Sequence, residues 1–192
     1  MTDERAVCVF CGSSTGNRPE YAEAAKRLGT AIARRGLTLV YGAGHVGLMG
    51  ILADAALAAG GRVVGMIPRS LVDRELAHRG LSELHIVESM HARKALMAKH
   101  ADAFLALPGG YGTLDELFEI LTWAQLGIHT KPIGLVNVAG YFDPLLEWIE
   151  GAVEGGLLRE KHRAMLLVGD EPEEMLERVL AFAVGEADER EA

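Results

Sequence analysis

The chain has 192 residues, 49% hydrophobic and 24% charged, a balance that suits one domain with a full core and excludes general disorder. Its formal net charge of −8 argues against nucleic acid as a partner, because that partner requires a concentrated basic face. No apolar run approaches the ~18 residues of a bilayer span, and the polar opening Met1-Thr2-Asp3-Glu4-Arg5 has no signal or transit character, so no membrane partner and a cytoplasmic address are expected.

Short apolar runs alternate with segments of helical period from end to end, the pattern of an α/β protein with a mostly parallel sheet of about seven strands and helices on both faces. The first strand, 6–11, carries Cys8 and Cys11, a C-x-x-C that invites a redox reading. Along a strand their Cα atoms stand roughly 10 Å apart, beyond the ~7 Å reach of a disulfide, so packing cysteines are expected. Gly12-Ser13-Ser14 turns out of this strand, and a helix over 18–33 ends at Gly36. The second strand, 37–41, runs into Gly42-Ala43-Gly44-His45-Val46-Gly47, a match to G-x-G-x-x-G ahead of a helix over 47–59. A dinucleotide site of that kind follows the first strand and has a carboxylate roughly 20 residues on. Here the next strand, 62–67, ends at Pro68, and the nearest following acid is Asp73. The turn therefore reads better as room for another nucleotide, with a nicotinamide-dependent oxidoreductase the lesser alternative.

Ser70 to Gly80 is polar and irregular, a loop or a short helix. After a strand at 83–87, Ser89 is a plausible N-cap for a helix over 90–100. Arg93 and Lys94 fall in its first turns, where cations oppose the macrodipole, and that cost suggests an anionic ligand; a solvated surface pair is the plainer alternative.

The fifth strand, 103–107, runs into Pro108-Gly109-Gly110-Tyr111-Gly112-Thr113-Leu114-Asp115-Glu116. Pro108 ends the ladder. The glycines let N–H groups face an anion without a Cβ in the way, and a helix over 113–126 adds its positive end. Thr113-x-x-Glu116 also fits a capping box, with Glu116 reaching back to the first helical amide, so a structural and a chemical role for Glu116 stand side by side. The stripe Leu114, Leu117, Phe118 and Leu121 marks the core side, with Glu116 off it. A strand at 133–138, a helix over 143–154, a weaker strand at 164–168 and a helix over 172–184 complete a single domain, 1–185. The acidic tail, 186–192, is expected to fray. The seven histidines have no zinc-site spacing, and neither a G-x-S-x-G nor a Walker A motif occurs, so no metal is expected.

Met90-x-x-Arg93-Lys94 followed by Pro108-Gly-Gly-Tyr-Gly-Thr-x-x-Glu116 resembles the Lonely Guy family of cytokinin riboside 5′-monophosphate phosphoribohydrolases, whose members have often carried the label "lysine decarboxylase". The similarity covers most of the chain, through Val9-Phe10-Cys11-Gly12-Ser13-Ser14, Tyr41-Gly42-Ala43-Gly44, Glu75-Leu76-Ala77-His78, Thr122-Trp123-Ala124-Gln125-Leu126-Gly127 and Asn137-x-x-Gly140-Tyr141-Phe142-Asp143. Asp115 stands where many members have Glu. The resemblance implies a Rossmann-like, doubly wound domain, usually a homodimer, that needs no cofactor. It would hydrolyse the N-glycosidic bond of an adenosine 5′-monophosphate, with or without an N6 prenyl group, to free base and ribose 5-phosphate. The resemblance further implies Arg93 and Glu116 as the catalytic pair, with Glu75, Lys94, Gly110, Tyr111, Gly112, Thr113 and Thr122 contacting the substrate. Gly109 belongs to the same cradle, and Gly12, Ser13, Gly42, Gly44 and Met90 are expected to line the crevice. A non-catalytic nucleotide or cofactor carrier built on the same cradle is the alternative from another class.

The implied chemistry agrees with the residue types. Breaking the bond to a purine develops positive charge on the ribose, which a carboxylate beside C1′ stabilises as it appears. By analogy with other glycosidic cleavages the carboxylate can instead deprotonate the attacking water. An arginine fork clamps substrate in a way lysine does not, and a phosphate held on the glycines orients the reacting bond.

Overall fold

The computed structural model describes residues 5–72 and 77–188, with side chains in the last helix described as far as Phe182. The elements are β1 (Ala6–Phe10), α1 (Pro19–Arg34), β2 (Thr38–Tyr41), α2 (Gly47–Ala58), β3 (Arg62–Pro68), β4 (Glu83–Val87), α3 (Met90–His100) and β5 (Ala103–Ala106). There follow α4 (Tyr111–Gln125), β6 (Ile133–Val136), α5 (Asp143–Glu154), α6 (Glu160–Arg163), β7 (Leu166–Gly169) and α7 (Pro172–Asp188), with 3₁₀ turns at Arg69–Leu71 and Val138–Gly140.

The seven strands form one sheet, all neighbours parallel, in the order β4-β3-β2-β1-β5-β6-β7. Parallel strands joined by helical crossovers are covered on both faces, which is why their sequences are apolar runs rather than alternating ones. Val7, Val9, Leu39, Tyr41, Val63 and Leu105 pack beneath α1, α2 and α7, while Cys8, Phe10, Val40, Met66 and Phe104 pack beneath α3, α4 and α5. Alternate residues of one strand thus feed two cores. Cys8 and Cys11 are buried and unpaired, and burial raises both thiols above the ordinary range, so packing is their role.

The chain winds outward from β1 to β4 and then returns to β5 on the other side of β1. A ligand crevice opens where the order reverses, beyond the carboxyl ends of the strands. Gly12 N–H, just past β1, donates to Pro108 O, just past β5, at 3.0 Å and ties the two lips of that crevice. Among the described residues no helix is long and apolar enough to cross a membrane.

Several expectations need correction. The fourth helix begins at Tyr111, not Thr113: Gly110 takes the extended cap conformation (φ −93, ψ −150) and no side chain caps it. Thr113 is therefore the third helical residue and Glu116 the sixth, so the capping box does not form. The buried side of α4 is Thr113, Glu116, Leu117 and Ile120, which puts Glu116 on the inward face instead of off it. The helix α6, four residues long, is too short to show a period and was not expected, and α7 continues to Asp188, past the expected 184. Residues 189–192 of the acidic tail lie outside the described residues.

Candidate active site

Ser89 caps α3, its Oγ accepting from Ala92 N–H at 3.1 Å. The helix is thereby aimed so that Arg93 and Lys94, 5% and 8% exposed, point inward; they are not a solvated surface pair. Arg93 Nη2 donates to Gly42 O at 3.0 Å and stands 3.8 Å from Glu116 Oε1, while Nη1 lies 3.7 Å from Met90 Sδ. Its Nε is buried and finds no hydrogen-bond partner among the described residues. Glu116 is itself only 8% exposed. A carboxylate and a guanidinium withdrawn from water interact strongly and need further partners to balance desolvation.

Gly42, the first glycine of the G-x-G-x-x-G run, is explained by this arginine. A Cβ there would sit 1.8 Å from Arg93 Nη2, so the residue is the seat of the guanidinium. The motif follows β2, away from the β1–β5 switch point, and its first glycine faces the protein's own side chain. Nothing here recreates the pyrophosphate approach of a dinucleotide fold. The next residue, Ala43, holds a left-handed φ of 61, and its carbonyl accepts from His78 N–H at 3.0 Å. His78 Nδ1 accepts from Gly80 N–H, which leaves the Nε2 proton for Asp54 Oδ1 at 2.8 Å. These bonds anchor residues 77–80 over the turn and hold a backbone conformation that alanine adopts only at a cost.

Lys94 Nζ reaches Asp115 Oδ2 at 2.9 Å and Glu119 Oε2 at 3.1 Å. Burial alone favours the neutral amine, but hydrogen bonds to the two carboxylates outweigh it and hold Lys94 above the usual lysine value. The lysine thus braces α3 to α4. Asp115 supplies half of that brace, so the shorter acid found here keeps the ion pair.

The cradle follows from the start of α4. The first amides of a helix have no intrahelical acceptor, and the cap residue here, Gly110, brings no side chain to them. Gly109 has no room for a Cβ, which would fall 2.0 Å from Thr113 Oγ1 and 2.9 Å from Gly12 N. Gly110 and Gly112 meet nothing on their open side, and Tyr111 is 95% exposed. Across the crevice, Gly47 adopts φ 63 with Ser13 packed against it, and Met49 N–H donates to Gly12 O at 3.3 Å. Gly12 and Ser13 are thereby fixed at one lip, and Gly44 is held by an antiparallel bridge to Ala77.

One expected residue is not brought to this place. Thr122 lies nearly two turns beyond Glu116, donates to Phe118 O at 2.7 Å and lines a separate apolar cavity of about 250 Å³ with Phe118, Trp148 and Leu157. Glu75 lies outside the described residues. One residue that sequence reasoning passed over does reach the cradle: Tyr141 Oη donates to Gly109 O at 2.6 Å. Its only signal was membership of the Asn137-x-x-Gly140-Tyr141 run. The assembled geometry offers an anion seat, a buried carboxylate and an arginine donor, which suits a phosphorylated sugar whose reacting bond lies several bonds from the phosphate that orients it.

Residues 49–179 match the family described as "possible lysine decarboxylase". A cytokinin riboside 5′-monophosphate phosphoribohydrolase of Arabidopsis thaliana is 49% identical over 175 residues, covering 91% of this chain and 82% of its own. One of the same name from Oryza sativa subsp. japonica is 50% identical over 163 residues, covering 85% and 67%. Among solved structures, the molybdenum cofactor binding protein of Rippkaea orientalis superposes with a TM-score of 0.72 over 94% of this chain and 98% of that one. At 22% identity that likeness bears on the fold alone.

Proposed function

The chain belongs to the "possible lysine decarboxylase" family together with the plant cytokinin riboside 5′-monophosphate phosphoribohydrolases, and from that premise we infer that it is a hydrolase that cleaves adenosine 5′-monophosphates at the N-glycosidic bond. Substrates are AMP, N6-prenylated relatives, or both, and the products are the free base and ribose 5-phosphate. The observation that carries the reading is the buried Arg93–Glu116 pair, 3.8 Å apart, beside the uncapped start of α4.

In this proposal the amides of 110–113 hold the 5′-phosphate and fix the ribose. Water oxygen bonds to C1′ as the C1′–N9 bond breaks and its electron pair leaves with the base, and the proton that the water loses ends on the departing base. Glu116 either stabilises the cationic ribose or takes the water's proton. Arg93, whose buried Nε has no hydrogen-bond partner among the described residues, donates to substrate. Lys94 acts through its brace. The carrier alternative draws support from fold likeness only, and Arg93 on Gly42 removes the feature that invited the oxidoreductase.

The test is a profile of nucleoside monophosphates with the matching ribosides. Free base should appear from AMP or isopentenyl-AMP, and removal of the 5′-phosphate should cost at least ~10²-fold in kcat/KM, the loss of orienting binding energy. Binding of AMP without release of base would establish a carrier instead.

The same reading treats 1–185 as one nucleotide-binding domain in a reducing cytoplasm, to which two unpaired cysteines are suited. It also takes the protein as a homodimer. Support comes from the exposed Leu126 and Ile128 just past α4, Trp148 on α5 and Leu157 just past it, since large apolar side chains left exposed can mark association surfaces. Ile128→Asp should shift the mass measured by light scattering from two chains to one, and an unchanged mass would move the interface elsewhere.

A further inference from the structure

Tyr141 stands 32 residues from Gly109 in sequence, and a purpose-shaped turn delivers it. After β6, Ala139 and Gly140 both take left-handed conformations, φ 53 and 71. For alanine that conformation is costly and persists only where the surroundings enforce it. They do so here: Asn137 Oδ1 accepts from Phe142 N–H and its Nδ2 donates to Asp143 Oδ1, both at 2.7 Å, and Arg18 Nη1 donates to Ala139 O at 3.1 Å. The Tyr141 ring then packs edge-on against Tyr21 and Phe142, and its hydroxyl ends on Gly109 O.

Three successive cradle carbonyls are tied. Pro108 O accepts from Gly12 N–H, Gly109 O from Tyr141 Oη, and Gly110 O from Leu114 N–H. A trans peptide is planar, with its C=O and the following N–H pointing opposite ways. Each tie therefore aims the next amide, those of Gly109, Gly110 and Tyr111, away from the tied side. Two ties are backbone to backbone; the middle one depends on a single side-chain oxygen. The peptide it holds joins two glycines, whose backbone freedom allows it to turn over and present a carbonyl where the amide had been.

We propose that Tyr141 is a positioning residue that sets the Gly109–Gly110 peptide so that the Gly110 amide faces the substrate's 5′-phosphate. The inference rests on the phosphoribohydrolase reading and deepens its phosphate subsite. Tyr141 touches no reacting atom; it keeps the anion seat in its binding orientation before substrate arrives.

The experiment compares wild type with Tyr141→Phe, which keeps the ring and removes the hydroxyl, and with Tyr141→Leu, which removes both. Ribose 5-phosphate affinity is measured by calorimetry, adenine inhibition and the AMP rate constants by kinetics, and Tm by calorimetric scanning. Both variants should bind ribose 5-phosphate about three- to tenfold more weakly, the worth of one neutral hydrogen bond spent on holding the competent conformer. KM for AMP should rise by the same factor, while kcat and adenine inhibition change by less than about twofold. Only Tyr141→Leu should lower Tm, through lost ring contacts. Unchanged ribose 5-phosphate affinity in Tyr141→Phe, or a parallel fall in adenine affinity, overturns the positioning role. Wild type that neither binds ribose 5-phosphate nor releases base from AMP overturns the functional reading itself, before any variant is compared.

Discussion

Glu116→Gln should lower kcat for AMP by ~10³-fold, the scale on which removal of a positioned general base or a charge-stabilising group acts. The substitution keeps shape and hydrogen-bonding capacity and removes only the charge and the basicity. Either chemical role is lost with them, so the size of the effect does not depend on which role operates. Stability should change less. With no capping box to preserve, the relevant partner is Arg93, 3.8 Å away. At an effective dielectric near 20 that pair attracts by about 4 kcal/mol, largely offset by the desolvation that the neutral amide no longer suffers. A net loss of about 1–2 kcal/mol, a fall in Tm of roughly 2–8 °C, is expected. Steady-state kinetics and a thermal scan on the same preparation check both halves. Wild-type turnover in a folded Gln variant would remove Glu116 from the chemistry.

What the sequence made legible was whatever is written within one element or its immediate flanks. The helix Met90–His100 was placed to the residue because Ser89 offers a cap and the next apolar strand follows directly after it. Asp143–Glu154 was placed equally well by Pro144 in its first turn and the glycines after it. The start of α4 was missed by two residues because Thr113-x-x-Glu116 has capping-box chemistry, while Gly110 has the backbone freedom to cap without any side chain. In that competition the glycine prevailed, and the outcome moved Glu116 from the helix end to its buried face.

The site was legible as a set of residues and not as a set of contacts. Arg93 and Glu116 were singled out from their motifs, and burial beside one another suits the chemistry implied for them. That Gly42 is a seat for Arg93, 51 residues away, or that Tyr141 ties Gly109, 32 residues away, depends on how β2, β5 and β6 lie in the sheet. Lys94 shows the same limit from the other direction. A first-turn cation reads as an anion contact until Asp115 and Glu119 are found to hold it.

Gly42→Ala should cost about 10²-fold in kcat/KM although the substituted residue itself brings no side chain to the substrate. The backbone of Gly42 is not left-handed, so alanine is tolerated there conformationally. Its Cβ would nevertheless fall 1.8 Å from Arg93 Nη2 and 3.0 Å from Cζ, and the guanidinium has to leave. Displacement of a catalytic group by about 1 Å is enough for a loss of that size. Arg93→Ala should produce a comparable or larger loss, because it removes the group that the other variant only misplaces. The decisive measurement is the double variant. If Gly42 acts only as the seat, adding Gly42→Ala to Arg93→Ala changes kcat/KM little further, and the coupling energy roughly equals the whole effect of the glycine substitution. Additive losses would mean that Gly42 serves the site independently, as a surface a nucleotide approaches, and would return the G-x-G-x-x-G turn to the binding role its sequence first suggested.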